Sequence, residues 1–80
     1  MHYYLVTKEQ EVCVFKGAEQ SVDRTQVIKT GTFLNGSLIG DGLTLWVFLD
    51  EDGEGEFFFP VNKTKKVPEA EVDWDNALGD

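Results

Sequence analysis

Leu43, Thr44, Leu45, Trp46, Val47, Phe48 and Leu49 form one apolar run, and Phe57, Phe58 and Phe59 form a second after seven intervening residues. Both are rich in the aromatic and β-branched side chains that fit a pleated surface, and the longer one is far short of a membrane span. Between them lie Asp50, Glu51, Asp52, Gly53, Glu54, Gly55 and Glu56, and Asp52-Gly53 suits a two-residue hairpin turn whose central residues take positive φ. The spacing predicts that residues 43–49 pair with residues 54–61, with Leu49 opposite Glu56, Phe48 opposite Phe57, Val47 opposite Phe58 and Trp46 opposite Phe59. In that register Trp46, Phe48, Phe57 and Phe59 share one face, while Leu45, Val47, Leu49 and Phe58 share the other. A slip of one residue would mix the two sets, because side chains alternate with period 2. Both faces are apolar, and a small domain covers both only by wrapping into a barrel or by taking a partner.

The rest of the chain repeats this pattern of short strand-like runs separated by turn residues, as expected of an antiparallel sheet or small barrel. Residues 2–7 and 11–16 are expected to pair across the polar Lys8-Glu9-Gln10, with Val12 and Val14 on one face and Cys13 and Phe15 on the other, both covered. Residues 17–23 read as a loop and residues 24–34 as extended chain. Asn35-Gly36, between residues 32–34 and 37–39, is the strongest short hairpin signal, and Gly40-Asp41-Gly42 turns the chain again. Pro60 should end a ladder, leaving residues 62–66 as a basic connection. Residues 69–75 alternate acid and apolar, which predicts a half-buried strand; Pro68, Ala70, Trp74, Ala77, Leu78 and Gly79 also fit a helix. No repeat or low-complexity segment is present. The expected architecture is therefore all-β and mainly antiparallel: a single-domain twisted sheet, or an SH3-like or partly open barrel, of five to seven short strands with a possible short C-terminal helix. Residues 1–75 form the acidic β domain, and residues 76–80 a frayed tail.

With 80 residues the chain holds one core, burying about 60% of the surface an unfolded chain exposes, so a deep catalytic pocket is hard to fit beside it. The single cysteine, Cys13, forms no internal disulfide, which points to a reducing compartment, the cytoplasm by default, and no targeting or transmembrane segment is expected. Asn35-Gly36-Ser37 and Asn62-Lys63-Thr64 match the glycosylation pattern but read as turns in an unsecreted chain. The formal net charge is −8. Residues 1–40 carry four acids and four bases, whereas residues 41–80 carry eleven acids and three bases. Such a field repels nucleic acid and anionic membranes and steers basic partners over a Debye length of about 8–10 Å.

Catalytic constellations are missing. His2, the only histidine, stands at a terminus where it is poorly positioned as a base, and Cys13 lies mid-strand, where a buried thiol is inert packing. The acidic segment at residues 50–56 does not match the helical-loop calcium pattern, no glycine-rich loop leads into a helix, and Lys63, Lys65 and Lys66 form the only basic cluster. No cofactor or metal is expected, and no enzymatic activity.

Two features point to binding. As a strand, Glu69, Glu71, Asp73 and Asp75 would line one face at about 6.6–6.8 Å intervals. With Asp50, Glu51, Asp52, Glu54 and Glu56 they would make an extended negative surface suited to a groove built for a phosphate backbone. Equally, they could be outward charges that keep an edge strand soluble. The aromatic set Trp46, Phe48, Phe57 and Phe59, with Trp74, is core if covered and an anchor for a partner if left open. The profile resembles, as a class only, the small inhibitors of phages and mobile elements, including anti-CRISPR and DNA-mimic proteins; no motif identifies a family. The expectation is a non-enzymatic inhibitor whose acidic surface docks on a basic, nucleic-acid-handling protein, without binding nucleic acid or membrane itself. The alternative is a small-barrel adaptor, or a homodimer module, binding through its aromatic face.

Overall fold

A computed structural model describes residues 2–16, 21–49 and 55–79. Nine strands follow in chain order: β1 (His2–Val6), β2 (Gln10–Lys16), β3 (Ser21–Ile28), β4 (Phe33–Leu34), β5 (Ser37–Ile39), β6 (Thr44–Leu49), β7 (Gly55–Pro60), β8 (Thr64–Pro68) and β9 (Ala77–Leu78). They build a five-stranded sheet in the order β3-β2-β7-β6-β5 and a four-stranded sheet in the order β8-β1-β4-β9. Every pairing is antiparallel except β4 with β9. The all-β, mainly antiparallel class is as the sequence predicts; the sheets do not close into a barrel, and there are more strands than the expected five to seven.

Alternation along each strand decides the layering. Val12 and Val14 of β2, Ile28 of β3, Leu45, Val47 and Leu49 of β6, and Phe57 and Phe59 of β7 project from the larger sheet into one core. They meet Tyr4 and Val6 of β1 and Leu34 of β4. The other face of the smaller sheet carries Tyr3, Phe33 and Val67, which pack under Val72 in a second cluster. Trp74 and Tyr3 meet nearly at right angles, with ring centroids 5.4 Å apart. The smaller sheet is thus covered on both faces and the larger on one. Fully burying a side chain such as Phe57 or Phe59 is worth about 1.5–3 kcal/mol, so the inward face of β7 is a large part of what holds the sheets together.

This layering overturns several local expectations. β1 and β2 occupy the expected residues but do not pair; β1 bonds to β4 and β8, and β2 to β3 and β7. β1 is apolar on both faces and goes to the doubly covered sheet, whereas the Cys13 and Phe15 face of β2 is not covered, and Cys13 is exposed. Asn35-Gly36 is no hairpin, because β4 and β5 lie in different sheets. Gly36 has no positive φ; it is needed because a Cβ there would strike the Trp46 carbonyl oxygen as the chain crosses between sheets. Residues 21–23, expected in a loop, belong to β3, while residues 17–20 are outside the described residues. Residues 62–66 are not a plain connection: a 3-10 turn at Val61–Lys63 leads into β8. Residues 69–75 form neither strand nor α-helix but run through 3-10 turns at Glu69–Glu71 and Trp74–Asn76, because Val72 must turn inward to cap the second cluster. The expected tail is also ordered into strand, since Ala77 and Leu78 pair with Phe33 and Leu34 and Asn35 N–H donates to the Leu78 carbonyl at 2.8 Å.

The register of β6 with β7 differs by one residue from the predicted pairing. Leu45 faces Phe59, Trp46 faces Phe58, Val47 faces Phe57, Phe48 faces Glu56 and Leu49 faces Gly55. Phe57 and Phe59 therefore join Leu45, Val47 and Leu49 inside, and Phe58 moves outside to join Trp46 and Phe48. The pairing that buries five large side chains on one face prevails over the one that suits a two-residue turn at Asp52-Gly53. That turn lies outside the described residues.

Candidate protein-binding face

The uncovered side of the larger sheet gathers residues from its five strands. Phe15 on β2, Glu56 and Phe58 on β7, and Trp46 and Phe48 on β6 form its centre, as the strand pairings require. Trp46 is 37% exposed, Phe58 41% and Phe48 50%. Phe15 and Phe58 have ring centroids 6.2 Å apart at 60°, and Trp46 and Phe48 lie 6.1 Å apart at 71°. These are tilted and edge-on contacts of the kind aromatic quadrupoles favour, and they hold the rings at fixed orientations without burying them. Val22 and Val27 extend the apolar surface along β3, opposite Phe15 and Glu11 respectively. Their common direction depends on a bulge: pairing passes from Val14 with Arg24 to Phe15 with Val22, leaving Asp23 as the extra residue.

Gly55 sets this centre. Its φ is +110°, and a Cβ there would run into the Phe15 carbonyl oxygen and the Val14 side chain. Glycine thus lets β7 approach β2 closely enough for Glu56 to stand opposite Phe15. On its other side Glu56 stands opposite Phe48. Period-2 alternation puts Glu11, Cys13 and Phe15 on the same side as Glu56, so among the paired residues Glu11 and Glu56 are carboxylates of this face. None of its outward positions on the paired strands is a lysine or arginine.

The structure divides the residues singled out from sequence. Trp46 and Phe48 lie on the open face; Phe57 and Phe59 are fully buried in the core and cannot contact a partner. Trp74 is 60% exposed but belongs to the opposite side of the molecule, over the smaller sheet. Glu69, Glu71, Asp73 and Asp75 are all exposed, and without a strand they do not form the evenly spaced row: Glu69 and Glu71 sit in the turn between β8 and Val72, beside the second cluster, whereas Asp75 lines a groove with Val27 and Lys29 at the end of β3. Asp73 has a local task, accepting hydrogen bonds from Asp75 N–H at 3.1 Å and Asn76 Nδ2 at 2.8 Å. Asp50, Glu51, Asp52 and Glu54 lie outside the described residues, and Glu56 is the member of the acidic set that joins the aromatics. Phe15 and Phe58 were missed as face residues. The signal for Phe15 was present in the alternation of β2; the signal for Phe58 was hidden by the register.

Elsewhere the chemistry is sparse. Lys63 donates to the Gln10 side-chain oxygen, and Lys65 and Lys66 are exposed on the edge strand β8. An open groove of about 420 Å³ between the end of β3 and β9 is lined by Gln26, Lys29, Thr30, Asp75 and Asn76 among others. Among the described residues no three histidine, cysteine or acidic side chains come together as a metal site, and no helix is long and apolar enough to cross a membrane. No family model, curated protein or solved structure matches the chain, so its functional reading rests on this geometry.

Proposed function

We propose that this chain is a non-enzymatic binding module that docks on a basic protein partner through the open face of its larger sheet. The observation that carries the reading is the exposed aromatic cluster of Trp46, Phe48 and Phe58 beside the half-buried Phe15, on a face whose paired charged residues are carboxylates. Aromatic side chains are enriched in the cores of protein interfaces, and tryptophan is among the residues that most often dominate binding energy there. Charge selects the partner: a net −8 disfavours a second copy and nucleic acid, and favours a protein rich in lysine and arginine. A nucleic-acid-handling protein is the basic partner we favour, with inhibition following from occupation of its cationic surface. The exposed free thiol of Cys13 fits a reducing compartment such as the cytoplasm.

Capture from a lysate should be compared for the natural chain, a Trp46→Ala/Phe48→Ala variant, and a Glu69→Gln/Glu71→Gln variant altered on the opposite side. Support consists of basic proteins that are lost with the first variant and retained with the second, and whose binding shields Cys13 from a thiol reagent. Capture that is unchanged by Trp46→Ala/Phe48→Ala, or a stable dimer of the chain held by this face, overturns the reading.

A further inference from the structure

Resting on that reading, we infer that Glu56 and the rings around it form a recognition site for an arginine side chain of the partner. Glu56 stands in a cross-strand row between Phe15 on β2 and Phe48 on β6, with Phe58 two residues further along the same strand and face. Two strand spacings put Phe15 and Phe48 roughly 9.5 Å apart across it. Glu56 is partly buried, and its carboxylate makes no hydrogen bond or ion pair with any described residue. A carboxylate held among aromatic rings with no cation of its own presents the two complements of a guanidinium. The oxygens accept its paired N–H donors, and the ring faces accept its plane. Glu11, outward on the same side of β2 but about 13 Å along the strand from Phe15, adds negative charge to the face and is not part of the site itself.

Arginine suits this site better than lysine. Its guanidinium is planar, weakly hydrated and able to stack while it bonds a carboxylate through two donors, whereas an ammonium is a compact, strongly hydrated charge. A second copy of the chain offers the wrong chemistry, because apposing two such faces would bring carboxylates together in a surface already short of bases. Gly55 makes the site possible, since the close approach of β7 to β2 is what sets Glu56 opposite Phe15.

The test is an NMR titration of the full chain with a short peptide carrying two arginines in a Gly-Ser background, and with its lysine and citrulline counterparts. The arginine peptide should shift the ring resonances of Phe15, Phe48 and Phe58, the lysine peptide should bind several-fold more weakly, and the citrulline peptide should leave the rings unmoved. Glu56→Gln should weaken the arginine peptide roughly tenfold, the loss of one charge-assisted hydrogen-bonded pair. Glu69→Gln/Glu71→Gln should change it by less than about twofold, as distant solvent-exposed charges do. Equal binding of arginine and lysine peptides, an unchanged affinity in Glu56→Gln, or shifts centred on Glu69 and Glu71 would overturn the site. Capture that depends on Trp46 and Phe48 but not on Glu56 overturns this inference and leaves the binding face standing; capture that depends on none of them overturns both.

Discussion

Replacing Phe57 by alanine removes a ring with no exposed surface from the centre of the main core, while replacing its neighbour Phe58 removes one that is 41% exposed on the open face. Truncating a buried phenylalanine costs about 3–5 kcal/mol, because the lost transfer energy is joined by the cavity left behind. A domain of this size holds near the low end of the usual range of roughly 5–15 kcal/mol, so Phe57→Ala should take most of its stability. With a urea dependence of about 1 kcal/mol per molar, the unfolding midpoint should fall by about 3 M or vanish. Phe58→Ala should cost about 1 kcal/mol or less, lowering the midpoint by under about 1 M. Urea titrations followed by far-UV circular dichroism and by Trp46 and Trp74 fluorescence would measure both. If Phe57→Ala does not fold, Phe57→Leu, at about half the penalty, keeps the comparison available against Phe58→Leu. Equal losses at the two positions, or a larger loss at Phe58, would refute the observed register, since the alternative pairing buries Phe58 with Leu45, Val47 and Leu49.

Two further substitutions probe how the chain is steered. Gly55→Ala should destabilise the domain by about 1–3 kcal/mol, seen as a lowered thermal midpoint, because it combines a positive φ with a Cβ placed against the Phe15 carbonyl. Asp73→Ala removes the acceptor for Asp75 N–H and Asn76 Nδ2 and should cost about 0.5–2 kcal/mol, with faster amide exchange across Trp74–Asn76 and β9 as the accompanying sign.

The strands of this protein were legible because their signal is local. Period-2 alternation and turn residues located His2–Val6, Gln10–Lys16 and Thr44–Leu49 to within a residue or so, and marked the Gly40-Asp41-Gly42 turn, where Gly42 N–H donates to the Ile39 carbonyl at 3.1 Å. The same alternation set Val12 and Val14 apart from Phe15. Part of the candidate site was legible too, since Trp46, Phe48 and Glu56 were singled out from sequence. Which of the three consecutive phenylalanines would face outward was not, because Phe57, Phe58 and Phe59 are chemically identical and only their partners distinguish them.

An all-β, mainly antiparallel fold, an acidic chain and a charge excess in residues 41–80 all follow from composition and short-range periodicity. Tertiary structure decided which strands pair, which face of the larger sheet stays open and on which side the acids fall. Asn35-Gly36 became a crossover and Glu69, Glu71, Asp73 and Asp75 were drawn off a strand path by contacts with residues on other strands: Trp46 for Gly36, and Tyr3 and Phe33 for Val72. A local pattern fixes the alternation of side chains along a strand, but the sign of that alternation, inward or outward, is set by burial summed over both sheets. One residue of register in β7 moves Phe58 from the core side to the open face, and with it Glu56, which lies two residues away on the same side of the strand.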